Sequence, residues 1–316
     1  MPINKNQVYG SILGGIVGDA LGVPYEFLSR SEIAENPITK MIGYGTYNQP
    51  PGTWSDDTSM TLALIDSIIE NDEINYTDMM DKFSEWLYEA KYTPHNETFD
   101  VGRTTRYTID QYRKGTEALE CGLDDDHSNG NGSLMRLIPV CLYLYANDYS
   151  IEDACEIIKN VSSLTHAHPV SYTSCNIYNI LVYEILNNPE MEFKEILTNA
   201  KNKAKDKYKG PVSRRFNRLF SDNFFNISLD ELESTGFVLN ALEIAFYCCY
   251  HTDNYKDAIL MAANLGEDTD TNAKITGDVA GLYYGDDYIP DEYLKTLIKR
   301  EYLEDMIDQF IKTLKI

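Results

Sequence analysis

The chain has 316 residues, with 50 acidic against 27 Lys and Arg side chains and a formal net charge of −23. That balance argues against a nucleic-acid backbone or an anionic membrane as partner, because both call for clustered positive charge. No apolar run reaches the roughly eighteen residues of a membrane span, and the opening Met1-Pro-Ile-Asn-Lys-Asn6 lacks the apolar stretch of a secretory signal, so the expected location is cytoplasmic.

The first predicted element is a helix from about Asn6 to Leu21, with Val8, Ile12, Leu13, Ile16, Val17 and Leu21 as its apolar stripe. Glycines 10, 14, 18 and 22 recur on one face. Glycine costs about 1 kcal/mol against alanine inside a helix, so this face predicts another backbone packed very close. Asp19 sits within the apolar segment, and an unpaired buried carboxylate is costly. It is expected to be hydrogen-bonded or near a metal. Gly22-Val-Pro-Tyr-Glu26 ends the helix, and Phe27 to Gln49 reads as a long irregular stretch of the kind that forms lids or binding loops.

Next comes Gly52-Thr-Trp-Ser-Asp-Asp-Thr-Ser-Met60, leading into a helical run with Leu62, Leu64, Ile65 and Ile68. Ser55, Asp56 and Asp57 therefore stand at a helix N-terminus. Capping accounts for one or two such residues. The segment holds more, and adjacent like charges call for a counter-charge such as a cation. Both readings stand on this stretch alone. An amphipathic run covers Met79 to Tyr88. In Phe99-Asp-Val-Gly-Arg-Thr-Thr-Arg106, Asp100 or Thr104 is a candidate N-cap for a helix carrying Tyr107, Ile109 and Tyr112. The polar segment Asp124 to Asn131 leads into Asn131-Gly-Ser-Leu-Met-Arg136, whose backbone N–H groups before an apolar run would suit an anion.

Helical runs follow at Ile151 to Leu164, Ser171 to Ile185 and Glu192 to Lys207, with Thr165-His-Ala-His-Pro169 between the first two. His168 is expected to order the loop before Pro169. From Lys201 to Arg218 the chain is strongly basic, which fits a solvated face or a docking patch for an acidic partner. Ser234-Thr-Gly-Phe237 precedes a further helical run, and others span Tyr255 to Ala263 and Glu292 to Ile316. Between those last two, Leu265-Gly-Glu-Asp-Thr-Asp-Thr-Asn272 repeats the earlier theme: Asp268, Asp270 and Thr271 precede a helix with Ala273, Ile275, Gly277, Val279 and Leu282. Two such clusters facing each other would enclose one site. Oxygen donors favour hard cations such as Mg²⁺, Mn²⁺ or Ca²⁺, and four carboxylates suit two divalent ions better than one. The six cysteines show no C-x-x-C spacing and read as reduced core residues. Two-residue alternation is almost absent, as are linkers and repeats. The expectation is all-α: a single compact multi-helix domain over residues 1–316, with a metal cleft between helix ends.

The segments Gly14-Gly-Ile-Val-Gly-Asp-Ala-Leu-Gly22 with Pro24 and Glu26, Trp54 to Met60, Asn131 to Arg136, Thr165-His166 and Gly266 to Gly281 occur in this order across almost the whole chain. Together they resemble the ADP-ribosylglycohydrolase family, and within it the dinitrogenase reductase-activating group. The resemblance implies an all-α fold with a dinuclear metal cleft. Two divalent cations, Mg²⁺ or Mn²⁺ with Ca²⁺ as an alternative, would be held by Ser55, Asp56, Asp57, Asp268, Asp270 and Thr271. Glu26 would lie on a loop beside the scissile bond, outside the metal shell, as general acid/base or to position water. Asp57 and Asp268 complete the expected catalytic set. Asp100 and Gly102 would sit at the mouth of the site. Asn131, Gly132, Ser133, Leu134 and Met135 would surround the diphosphate, His166 would contact the ligand, and Gly236 and Phe237 would help form the cleft.

The implied reaction is hydrolysis of the glycosidic bond between ADP-ribose and a protein side chain, arginine first and serine second. The alternatives are hydrolysis of free derivatives such as O-acetyl-ADP-ribose, or ADP-ribose binding without catalysis. The sequence departs from the family pattern at Glu267, Lys274 and Asp278, where small or apolar residues are usual. These put local packing and the charge count at the site in question.

Overall fold

The computed structural model describes residues 3–316. Fourteen α-helices are found among them. They are α1 (Lys5–Gly22), α2 (Arg30–Glu35), α3 (Asp56–Asn71), α4 (Tyr76–Glu89), α5 (Arg103–Arg113), α6 (Ile138–Ala146) and α7 (Ile151–Ser163). The second half holds α8 (Pro169–Asn187), α9 (Phe193–Lys207), α10 (Val238–His251), α11 (Tyr255–Ala263), α12 (Thr269–Tyr284), α13 (Asp291–Thr296) and α14 (Arg300–Ile311). Among the described residues, extended pairing is limited to isolated bridges, Leu123 with His166 and Gly130 with Phe237. No helix among them is long and apolar enough to cross a membrane. The all-α expectation is met.

The pair α1 and α12 forms the central axis. A capping box starts α1, with Asn4 and Gln7 each accepting from the other's backbone. The glycine face then meets α12 at backbone distance. A Cβ on Gly14 would lie 2.6 Å from the carbonyl oxygen of Gly277, and one on Gly18 would lie 2.2 Å from that of Ala273. Contacts this short exclude any side chain, which is why the costly glycines are there. Around this axis α12 packs on α10 and α11, while α3 packs on α4, α6 and α14. The six cysteines are buried and free.

Two expectations about elements need correction. The stretch from Phe27 to Gln49 is not wholly irregular, because α2 interrupts it. Ser29 and Glu32 form a capping box there, with Glu32 accepting from Ser29 N–H and Ser29 Oγ accepting from Glu32 N–H. The closing run from Glu292 is two helices, α13 and α14, broken where Lys299 turns into the left-handed region at φ 49°.

The basic segment of residues 201–218 is largely satisfied within the chain. Lys203, Lys205, Arg215 and Arg218 pair with Glu184, Asp222, Asp126 and Glu243. Lys201 donates to the Ser221 carbonyl at 2.8 Å.

Candidate functional site

The N-terminus of α3 is capped without Asp56 or Asp57. Ser55 is the N-cap, and its Oγ accepts from Asp57 N–H at 3.3 Å. Asp19 of α1 reaches across and accepts from Ser55 N–H at 2.9 Å and from Thr58 N–H at 3.1 Å. Thr58 Oγ1 donates to the same carboxylate at 2.5 Å. Trp54, fully buried, anchors the preceding turn through its indole N–H to the Tyr92 carbonyl. Asp56 and Asp57 are therefore buried acids that the helix end does not need.

The second cluster behaves the same way. Asp268 occupies the N-cap of α12 but makes no capping bond. Its Oδ2 instead accepts from Asn131 Nδ2 at 2.7 Å. Thr271 Oγ1 donates to Oδ2 of Asp57 at 3.3 Å, joining the two clusters directly. Two buried carboxylate oxygens, Oδ1 of Asp57 and Oδ2 of Asp270, meet no hydrogen-bond partner. Buried polar atoms are nearly always satisfied, so these orphans, in an all-oxygen donor set, fit hard divalent cations.

Glu26 and Asp100 bring a third side to the cluster. Carboxylate oxygens of Glu26, Asp100 and Asp270 all lie within 4.8 Å of one another. Asp100 does not cap α5. The N-cap there is Gly102, and Asp100 holds a left-handed backbone at φ 52°. Tyr47 donates its hydroxyl to Oε2 of Glu26 at 2.5 Å. The Glu26 loop is clamped to the Asp268 loop by two backbone bonds, Phe27 N–H to the Glu267 carbonyl and Glu267 N–H to the Leu28 carbonyl, each 2.7 Å. Phe27 and Glu267 both sit at positive φ, 67° and 61°.

Burial, and then crowding of like charges, pushes these acids up. Burial, then the Asp100 and Asp268 charges, raise Glu26 to about 10. Burial leads again for Asp56, Asp57 and Asp270, which lie well above the usual carboxylate range. Asp268 is also raised by burial, against the opposing bond from Asn131.

Opposite the acids, the turn at Asn131–Ser133 leads into Met135 and Arg136. His166 sits beneath it. A Cβ on Gly132 would lie 3.0 Å from Cε1 of His166. Arg136 donates to Thr165 Oγ1 at 2.9 Å, and Thr165 Oγ1 lies 2.7 Å from Nδ1 of His166. Thr165 Oγ1 thus lies between the Arg136 guanidinium, from which it accepts, and the His166 ring. Burial, helped by the Arg136 charge, lowers His166 to about 3, so the ring is neutral. Arg136 is fully buried, with its guanidinium 4.5 Å from the Phe83 ring centroid, and is structural. His168 caps α8 by accepting from Val170 N–H at 3.2 Å, the ordering role expected of it.

One cavity of about 760 Å³ collects most of the expected residues: Glu26, Asp56, Asp57, Asp100, Gly102, Asn131, Gly132, Met135, His166, Gly236, Asp268 and Thr271. Ser55 and Asp270 stand behind that wall. Ser133, Leu134 and Phe237 do not line it. The 3₁₀ turn directs Ser133 inward, where Ser162 Oγ donates to its Oγ at 2.9 Å, and Leu134 is fully buried. Phe237 is the N-cap of α10, half-buried against the core. The structure also places Glu26 beside Asp100 and Asp270, closer to the expected metal ligands than the sequence suggested. Residues that sequence reasoning passed over include Phe27, Arg103, Thr105, His127 and Thr235 on the wall, and Tyr47 behind Glu26, while Glu267, noted as a departure, also lines the wall. Arg103 is the cavity-wall arginine. Adjacency to the Asp100 motif was its one signal.

The ADP-ribosylglycohydrolase family model matches residues 1–315. The chain is 31% identical over 304 residues to the ADP-ribosylarginine hydrolase Tri1 of Serratia proteamaculans, covering 96% of this chain and 78% of the relative. It is 27% identical over 300 residues to the ADP-ribosyl-dinitrogen reductase glycohydrolase of Rhodospirillum rubrum, covering 94% and 92%. A solved structure described as an ADP-ribosylglycohydrolase-related protein complex superposes with a TM-score of 0.82 at 26% identity, covering 99% of both chains.

Proposed function

Since the chain belongs to the ADP-ribosylglycohydrolase family, we propose that residues 1–316 act as one hydrolase domain that cleaves ADP-ribose from a protein side chain with the help of divalent cations. The observation that carries this reading is the cleft in which α3 and α12 present buried carboxylates, Asp57 and Asp270 each with an orphaned oxygen. Arginine is the favoured linkage and serine the second, because relatives named for arginine linkages cover nearly the whole chain.

Asp56, Asp57, Asp268, Asp270 and Thr271, with Ser55 behind them, would hold two cations, Mg²⁺ or Mn²⁺. Bound there, the cations supply positive charge to orient the ribose hydroxyls and polarise water. The protein's residues do the rest. The N–H of Gly132 donates to the diphosphate side of the ligand with the His166 ring beside it, and Arg103 adds positive charge at the wall. Glu26 handles a proton at the leaving group. The bond from the anomeric carbon to the side-chain nitrogen or oxygen breaks, water oxygen bonds to that carbon, and one water proton goes to the leaving group. The surrounding carboxylates stabilise the oxocarbenium character that develops.

A second reading of Glu26 rests on its grouping with Asp100 and Asp270: it joins the cation ligands. Loss of cation binding in Glu26→Gln is the signature of that reading. For the reaction itself, turnover on ADP-ribosyl-arginine, ADP-ribosyl-serine and O-acetyl-ADP-ribose with Mg²⁺ or Mn²⁺ is the test. Cleavage of the arginine conjugate ahead of the others is expected. Turnover of the acetyl ester alone would move the assignment to free ADP-ribose derivatives, and no turnover on any of them would leave a binding protein.

A further inference from the structure

Lys274 and Asp278 lie one turn apart on α12 and are sealed from solvent, with 1% and 0% of their side chains exposed. The ammonium donates to both carboxylate oxygens, at 2.9 and 2.7 Å. Tyr178 of α8 donates to Oδ2 of Asp278 at 3.3 Å. Room on the facing helix comes from Gly15, where a Cβ would sit 1.8 Å from Oδ1 of Asp278 and 3.1 Å from Nζ of Lys274.

Burying two charges costs several kcal/mol per ion, and an apolar pair of similar volume is often at least as stable. Stability alone therefore gives no reason for the pair, but its placement does. Asp270, Lys274 and Asp278 recur every fourth residue, so they share one face of α12. Lys274 stands between the cleft acid and its own partner, which is ~6 Å farther along the axis. The positive end of the pair is the end nearer the cleft.

We propose that the Lys274–Asp278 pair is a built-in counter-charge behind the cleft that sets how tightly the carboxylates hold their cations. Lys274 supplies part of the positive charge that the acids otherwise draw from bound ions, so it stabilises the empty cleft and weakens cation binding. This rests on the metal-binding reading of the cleft and adds positioning residues that the ligand set does not contain.

The test is a titration of Mn²⁺ alone into metal-stripped protein, with the free ion read by its electron paramagnetic resonance. Lys274→Met with Asp278→Leu removes both charges and should tighten Mn²⁺ binding roughly threefold to tenfold. Asp278→Asn leaves Lys274 without its negative partner and should weaken binding by a similar factor. A pair that serves packing alone would lower thermal stability in both variants without opposite shifts in affinity. Equal affinity in the natural protein and both variants, or shifts of one sign, overturns the proposal. If the double variant does not fold, Asp278→Asn decides alone, and unchanged or tighter binding overturns the proposal. A natural protein that binds no Mn²⁺ removes the metal reading of the cleft as well, a result distinct from the others.

Discussion

Asp57 and Asp270 each keep one carboxylate oxygen that meets no donor, while Asp19 does the capping that their positions suggest. That division of labour leads to the first prediction. Asp56→Ala or Asp268→Ala should cut turnover by about 10²-fold or more, since metal charge stabilisation is worth several kcal/mol. Near-normal turnover in either variant, or indifference to EDTA, would sink the metal assignment. The second concerns Glu26. A general acid–base group contributes about 10²–10⁴-fold, so Glu26→Gln should lose that much turnover while Mn²⁺ affinity stays nearly constant. Full activity in the variant removes Glu26 from the mechanism. At this scale the sequence was informative about residue type and poor about direction. Ser-Asp-Asp and Asp-Thr-Asp-Thr announce surplus acid whatever the fold. Whether Ser133 faces the cleft or the interior depends on the 3₁₀ turn. Tyr47 reaches Glu26 only through a loop whose path no local pattern dictates.

Helix α1 shows what repeats of small residues reveal and where they stop. The period of four in its glycines foretold a close backbone, and α12 is that backbone. The partner's identity was not readable, because a glycine face says how near a neighbour comes and not which neighbour it is. Gly18→Ala sets two effects against each other. Helix propensity favours alanine by about 1 kcal/mol. A methyl 2.2 Å from the Ala273 carbonyl oxygen forces the helices apart, and such overpacking costs about 1–3 kcal/mol. The clash should win, and urea denaturation should show net destabilisation. A more stable variant would mean that the two helices yield easily. Helix α2 was legible in principle, since Ser29-x-x-Glu32 is a capping signature. Its short length and the surrounding prolines and glycines concealed it.

Across the whole molecule, the acid cluster ties stability to pH and to cations. A carboxyl whose folded value is raised stabilises the protein below its unfolded value, and that stability is lost as pH rises through the folded one. For Asp19 the window runs from 3.8 to about 6, and for Glu26 from 4.5 to about 10. Metal-free protein should therefore melt at a lower temperature at pH about 8 than at pH about 5.5. Mg²⁺ or Mn²⁺ should restore the loss at the higher pH, and differential scanning calorimetry with and without EDTA reads both effects. A melting temperature independent of pH and metal contradicts the cluster as described. ADP-ribose should add to the protection, by about 2.7 kcal/mol at a hundredfold excess over its Kd. Protection by AMP but not by ADP-ribose would point to another nucleotide ligand.

The pairing of α1 with α12 also has a consequence in time. Residues near the start of the chain can find their partner only after residues near its end have been made, and contacts so distant in sequence form slowly. A growing chain that has reached the end of α11 holds Asp19, Asp56 and Asp57 without Asp268, Asp270 and Thr271 to face them. The cleft thus closes only after α12 has been made. A chain stopped at residue 264 should gain no thermal protection from Mn²⁺, and the 316-residue chain should gain it only once refolding has finished.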